Sequence, residues 1–126
     1  MRRLALACAL AAPASAFAQD WQKLPDTPGF TIFLDQRQLR LSATPPSGWV
    51  MGNYAAPRDG AQSFRMLAEF DCARYLVRTI EATQHSGPNA TGKVISTIGA
   101  TTWMPAPPGE FLDAVLRGIC PKVKTS

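Results

Sequence analysis

The sequence is poor in the side chains that build metal centres and thiol or imidazole catalysts. Its 126 residues hold one histidine, His85, and three cysteines, Cys8, Cys72 and Cys120. Neither C-x-x-C nor H-x-x-x-H spacing occurs, so a four-ligand zinc site lacks its donor pattern and a dithiol redox pair lacks its motif. No serine stands in a nucleophile-elbow context. Beyond the first residues no apolar run approaches the roughly 20 that a bilayer-spanning helix requires, so no stable membrane span is expected. Charge is sparse too: 13 basic and 9 acidic side chains are scattered rather than blocked. A nucleic-acid partner wants a basic stripe with interleaved aromatics, and neither is present.

The N-terminus does carry a pattern. In M-R-R-L-A-L-A-C-A-L-A-A-P-A-S-A-F-A, two arginines precede an apolar stretch from Leu4 to Ala12 and the small-residue run Ala16, Phe17, Ala18. This reads as a secretory signal peptide over residues 1–18, cleaved after Ala18. Taking 18 from 126 leaves a mature chain of 108 residues, 19–126, which suits one domain. Losing Arg2 and Arg3 leaves 11 basic against 9 acidic side chains, or +2. Lipidation at Cys8 is disfavoured, because too short an apolar segment precedes Ala5, Leu6 and Ala7. The expected address is the periplasm or the medium.

With Cys8 gone, Cys72 and Cys120 remain, and an even count in an oxidising compartment favours a disulfide. Such a bridge would close a loop of a little under fifty residues, worth roughly 4 kcal/mol on chain-entropy grounds. Metal ligation and thiol nucleophilicity are the competing uses, each short of partner residues.

Alternation and turn chemistry predict short strands at Trp21 to Leu24, Phe30 to Leu34, Leu39 to Ser42 and Trp49 to Tyr54, with breaks at P-D-T-P-G, T-P-P-S-G and P-R-D-G. The clearest period-two segment puts Phe64, Met66, Ala68 and Phe70 on one face and Arg65, Glu69 and Asp71 on the other, where Leu67 is the one exception, with Cys72 continuing the apolar side. A strand over Ala73 to Thr83 and the run V-I-S-T-I-G-A-T-T-W flank the loop His85 to Gly92, predicting a hairpin. The period then changes. Phe111, Leu112, Val115, Leu116 and Ile119 make a helical stripe, Asp113 and Arg117 form an i,i+4 pair, and Pro121 stops the helix with Cys120 at its end. The expected fold is α+β: an antiparallel sheet of about six strands, a C-terminal helix packed on one face, and one disulfide.

Several constellations imitate chemistry. G-P-N-A-T-G-K, Gly87 to Lys93, matches part of a phosphate-binding loop, but Val94 stands where Ser or Thr is needed and a strand follows. Glu69 and Asp71, two apart on one strand face, sit about 7 Å apart, as in an inverting glycosidase; a solvated charged face is the simpler reading. His85 reads as a surface residue in a turn-rich loop. Trp21, Trp49 and Trp103 read as core or edge packing, with Trp103 the candidate for exposure beside the rigid stretch Met104 to Gly109. No catalytic, cofactor-binding or metal-binding residue is assigned.

One resemblance runs through most of the chain: W-Q-K-L, F-T-I-F-L-D, W-V-M-G-N-Y, Q-S-F-R-M-L-A-E-F-D-C with R-Y-L-V-R, and W-M-P-A-P-P-G-E before an amphipathic helix and a final cysteine. The chain resembles the surface-adhesin protein E family of Proteobacteria across residues 19–126. The resemblance implies a sheet of about six antiparallel strands whose C-terminal helix is tethered by a Cys72 to Cys120 bridge. It also implies a binding role, since the namesake is an outer-surface lipoprotein that attaches to host matrix proteins such as vitronectin and laminin. The implied partner is a protein, of the host matrix or of the envelope, and the outer-membrane surface becomes a further expected address. The alternative is an envelope-stress or enzyme-inhibitor module that inserts Met104 to Gly109 into a partner's cleft.

Overall fold

β-Branched and aromatic residues at alternate positions carry the chain through successive hairpins. The computed structural model describes residues 19–123. The signal segment 1–18, its cleavage point and Cys8 lie outside the described residues. The strands are β1 (Trp21–Lys23), β2 (Phe30–Asp35), β3 (Ser47–Arg58), β4 (Ala61–Asp71), β5 (Leu76–His85), β6 (Val94–Ile98) and β7 (Met104–Pro105), followed by the helix α1 (Phe111–Ile119). They form one antiparallel sheet in the order β1 to β6, with β7 pairing the far end of β5. The fold class agrees with the pattern read from the residues.

The hairpins differ from expectation in informative ways. P-R-D-G is not a loop: β3 runs through Arg58, and Asp59 and Gly60, at φ 49° and 85°, make a two-residue turn. Positive φ at both central positions suits the right-handed twist of a hairpin, which is why Asp-Gly works there. Leu39 to Ser42 is not a strand. Arg40 makes one isolated bridge to Ser47, and Pro45 and Pro46, having no N–H, cannot extend the ladder. β5 starts at Leu76 rather than Ala73, because the Asp71 carboxylate accepts the Arg74 N–H at 2.9 Å and Tyr75 adopts φ 60°, forming a turn. β6 ends at Ile98. Beyond it, Thr101 stands in for a strand residue, with its N–H donating to Thr79 O at 2.9 Å and its Oγ1 accepting from Thr79 N at 3.0 Å.

The core lies between the helix and one sheet face. Ile32, Leu34, Val50, Phe70 and Val77 are fully buried from the sheet side, and Val115, Leu116 and Ile119 from the helix side. Full burial of each such side chain stabilises by about 1.5–3 kcal/mol. Residues alternating with them, including Trp49, Met51, Arg65, Leu67 and Glu81, share the opposite face through cross-strand pairing.

Both ends of α1 are tied to one turn, residues 72–75. Cys120, directly after the helix, is bonded to Cys72 across a Cα–Cα distance of 5.6 Å. Near the N-terminal end, Asp113 is buried, a placement its i,i+4 pairing does not reveal. Its carboxylate accepts from the Tyr75 hydroxyl at 2.5 Å, from the Gly109 N–H at 2.7 Å and from Arg117 Nε at 3.1 Å. The Tyr75 hydrogen bond above all, then the Gly109 amide and the Arg117 guanidinium, hold the Asp113 carboxyl below its usual pKa. A carboxylate depressed by folding stabilises above its unfolded pKa of about 3.9, and that contribution is lost as pH falls through the lower folded value. The Asp113→Asn variant is therefore expected to melt lower at neutral pH and to lose less stability than the native protein below about pH 4. Melting curves across the acid range check this; parallel pH profiles would remove Asp113 from the helix anchor.

Candidate binding site

Register lines up two rows of side chains on the helix side of the sheet. Leu34, Val50, Met66, Ala82 and Ile98 pair across five strands, and Ile32, Gly52, Phe64, Gln84 and Ser96 form the adjacent row. A nine-residue helix is about 13 Å long, whereas the 11 residues of β4 extend for about 36 Å. α1 therefore covers only part of the face. What remains is an open groove of about 450 Å³ above Met66, Ala82 and Ile98, walled by Phe111 and Leu112 on one side and Phe30 and Tyr54 on another.

An aromatic cluster shapes that wall. Phe30 and Phe111 have ring centroids 5.0 Å apart, Phe64 and Phe111 5.3 Å, and Tyr54 and Phe64 5.5 Å, separations at which tilted and edge-to-face pairs attract. Gly52 makes room for this cluster, since a Cβ there would lie 2.5 Å from the Phe64 ring. The Arg58 guanidinium stacks over both Phe30 and Tyr54, 4.9 and 4.7 Å from their centroids. A hydrogen-bonded relay supports the floor: Ser96 Oγ donates to Gln84 Oε1 at 2.6 Å, and Gln84 Nε2 to the Tyr54 hydroxyl oxygen at 2.7 Å.

Next to the groove runs an open sheet edge. Among the described residues, the large apolar side chains that remain exposed are Val94 at 55%, Ile95 at 41% and Ile98 at 45%, and all three belong to β6. Among the described residues β6 pairs with β5 alone, so its outer backbone groups have no ladder partner there. V-I-S-T-I contains neither the charge nor the proline with which proteins commonly blunt such an edge.

The residues that imitated chemistry occupy structural positions. The disulfide leaves neither Cys72 nor Cys120 with a thiolate to attack or to ligate a metal. Glu69 pairs with Arg78 at 2.7 Å and Asp71 with Arg74 at 2.8 Å. The Arg74 backbone and side-chain hydrogen bonds hold Asp71 below its ordinary pKa, the opposite of what a general acid needs. The Gly87 to Lys93 loop folds back onto the sheet: Asn89 exchanges two hydrogen bonds of 2.8 Å with the Asn53 amide, and the Ser63 hydroxyl bridges Gly87 O and Ala90 N. His85 is half-buried rather than a surface residue. Its Nε2 lies 2.8 Å from Thr83 Oγ1, and burial, reinforced by Arg65, lowers its pKa.

The tryptophans stand outside the core. Trp21 lies on the edge strand β1, Arg65 stacks 4.0 Å from the Trp49 ring centroid, and Arg78 4.6 Å from that of Trp103. All three are half-buried. In the stretch Met104 to Gly109, Met104 and Pro105 pair with β5 and Ala106 is buried, whereas Pro107, Pro108 and Gly109 are exposed.

The surface-adhesin protein E family model matches residues 21–121, from the first residue of β1 to just past Cys120. The chain belongs to the surface-adhesin protein E family. Solved structures agree at the level of fold. Crystal form II of Haemophilus influenzae protein E superposes with a TM-score of 0.61 at 14% identity, covering 96% of this chain and 98% of that one. A second Haemophilus influenzae protein E structure gives 0.59 at 15% identity, covering 92% and 96%. No curated protein sequence matches this chain. Family membership makes this an adhesin-like protein of the exported, surface-associated kind, and no helix among the described residues is long and apolar enough to cross a membrane.

Proposed function

We propose that the protein is an exported, non-catalytic module, processed after Ala18, whose single domain, 19–126, binds a protein partner by adding a strand to the β6 edge. The observation that carries this reading is the confinement of the exposed large apolar side chains to that one strand. Strand addition draws affinity from main-chain hydrogen bonds and selectivity from alternate side chains, so it needs no titratable constellation. The bonded cysteines and paired carboxylates are consistent with a role that does not involve catalysis.

The partner class is a host extracellular matrix protein, and the working address is the outer surface, the medium or the periplasm. Family membership supports both. The test passes purified exported protein over immobilised laminin and vitronectin and, separately, captures partners from a periplasmic extract. Saturable matrix binding is expected. Failure to bind either matrix protein, with an envelope hydrolase as the main captured partner, would move the protein to the inhibitor class. Self-association through β6 with no other partner would overturn the proposal as well.

A further inference from the structure

We infer that the groove beside α1 is a second binding site, for an apolar carboxylate of the long-chain fatty acid class. Its volume, about 450 Å³, falls within the roughly 300–1,000 Å³ of small-molecule sites, and like them it is mostly apolar with a few polar groups at its margin. Met66 and Ala82 are buried beneath it but not sealed, at 6% and 7% exposure, and Ile98 is open at 45%. This row presents a hydrocarbon floor spanning three strands.

The charge at the rim selects the headgroup. Among the described residues Arg74, Arg78 and Arg117 each have a carboxylate partner, whereas Arg58 has only the faces of Phe30 and Tyr54. Stacking on two rings restrains the guanidinium, and Arg58 is exposed, so its N–H donors are available to a carboxylate in a bidentate pair. An inorganic anion would meet only an exposed arginine, and a neutral chain only the floor. A ligand carrying both a chain and a carboxylate uses the whole site. The site shares Ile98 with β6, but its headgroup residue Arg58 lies on β3 and Met66 and Ala82 lie on β4 and β5, so loss of strand addition at β6 would leave it testable.

Calorimetric titration of the purified exported protein with dodecanoate, dodecanol and acetate, each as monomer in solution, tests the assignment. Dodecanoate is expected to bind, dodecanol about tenfold more weakly, and acetate not measurably. Arg58→Gln should bring dodecanoate down to the level of dodecanol, while Arg58→Lys, which keeps the charge, should retain most of the affinity. Amide resonances of Met66, Ala82 and Ile98 should shift on titration of the native protein, which locates the site even if a variant folds poorly. Affinity unchanged by Arg58→Gln, absence of dodecanoate binding, or shifts confined to other strands would each overturn the inference.

Discussion

Serine at both Cys72 and Cys120 is expected to lower stability by about 4 kcal/mol, from the chain-entropy cost of the loop that the bridge closes. The two residues are 48 apart in sequence, so the unfolded variant regains the loop-closure entropy that the bridge removes. In a domain of about a hundred residues each kcal/mol moves Tm by roughly 4–8 °C, so the fall should be about 15–30 °C. The effect concerns one helix in particular. α1 touches the sheet through its apolar stripe and is tied to the β4–β5 turn at both ends, by the disulfide after Ile119 and by Asp113 on Tyr75. Without the bridge only the Asp113 end holds, and the C-terminal half of α1, with Leu116 and Ile119, should expose first. Thermal unfolding of the native protein and the double variant, both without reductant, measures this. A shift of only a few degrees would show that packing alone seats the helix.

Lysine at both Val94 and Ile95 is expected to weaken partner binding by at least about tenfold, with stability changed by no more than about 0.5 kcal/mol. Both side chains are already exposed, so the folded state loses little packing, but an incoming strand would have to desolvate two ammonium groups. Trp49→Ala, on β3 and three strands away from the β6 edge, serves as the control and should leave affinity in place. Equal binding by native and lysine variants would exclude β6 as the contact. Surface plasmon resonance on an immobilised matrix protein supplies the comparison, and melting curves confirm that the variants remain folded.

Much of the fold was legible because its signals are local. The alternation of Phe64, Met66, Ala68 and Phe70 gave β4, and the stripe from Phe111 to Ile119 gave α1. Where the reading failed, a side chain had replaced the backbone ladder: Asp71 turned the chain at Arg74, and Thr101 cut β6 short of the run in which it began. Proline confined the Leu39 to Ser42 segment to one bridge.

The site was much less legible. Phe30, Tyr54, Phe64 and Phe111 come from four elements, and nothing in their spacing announces that they meet. One signal was available: a nine-residue stripe is too short to cover strands of ten or more residues, so some apolar floor had to remain open. Another was V-I-S-T-I itself, a β-rich segment without a charge, which reads equally well as an interior strand until the topology puts it at the edge.

The most direct test of strand addition at β6 is amide hydrogen exchange of the exported protein alone and with a matrix protein bound. Slowed exchange concentrated in residues 94–98, with α1 and β3 unchanged, is the expected result. Protection that spares β6 and falls on α1 or on the β1 edge would contradict it.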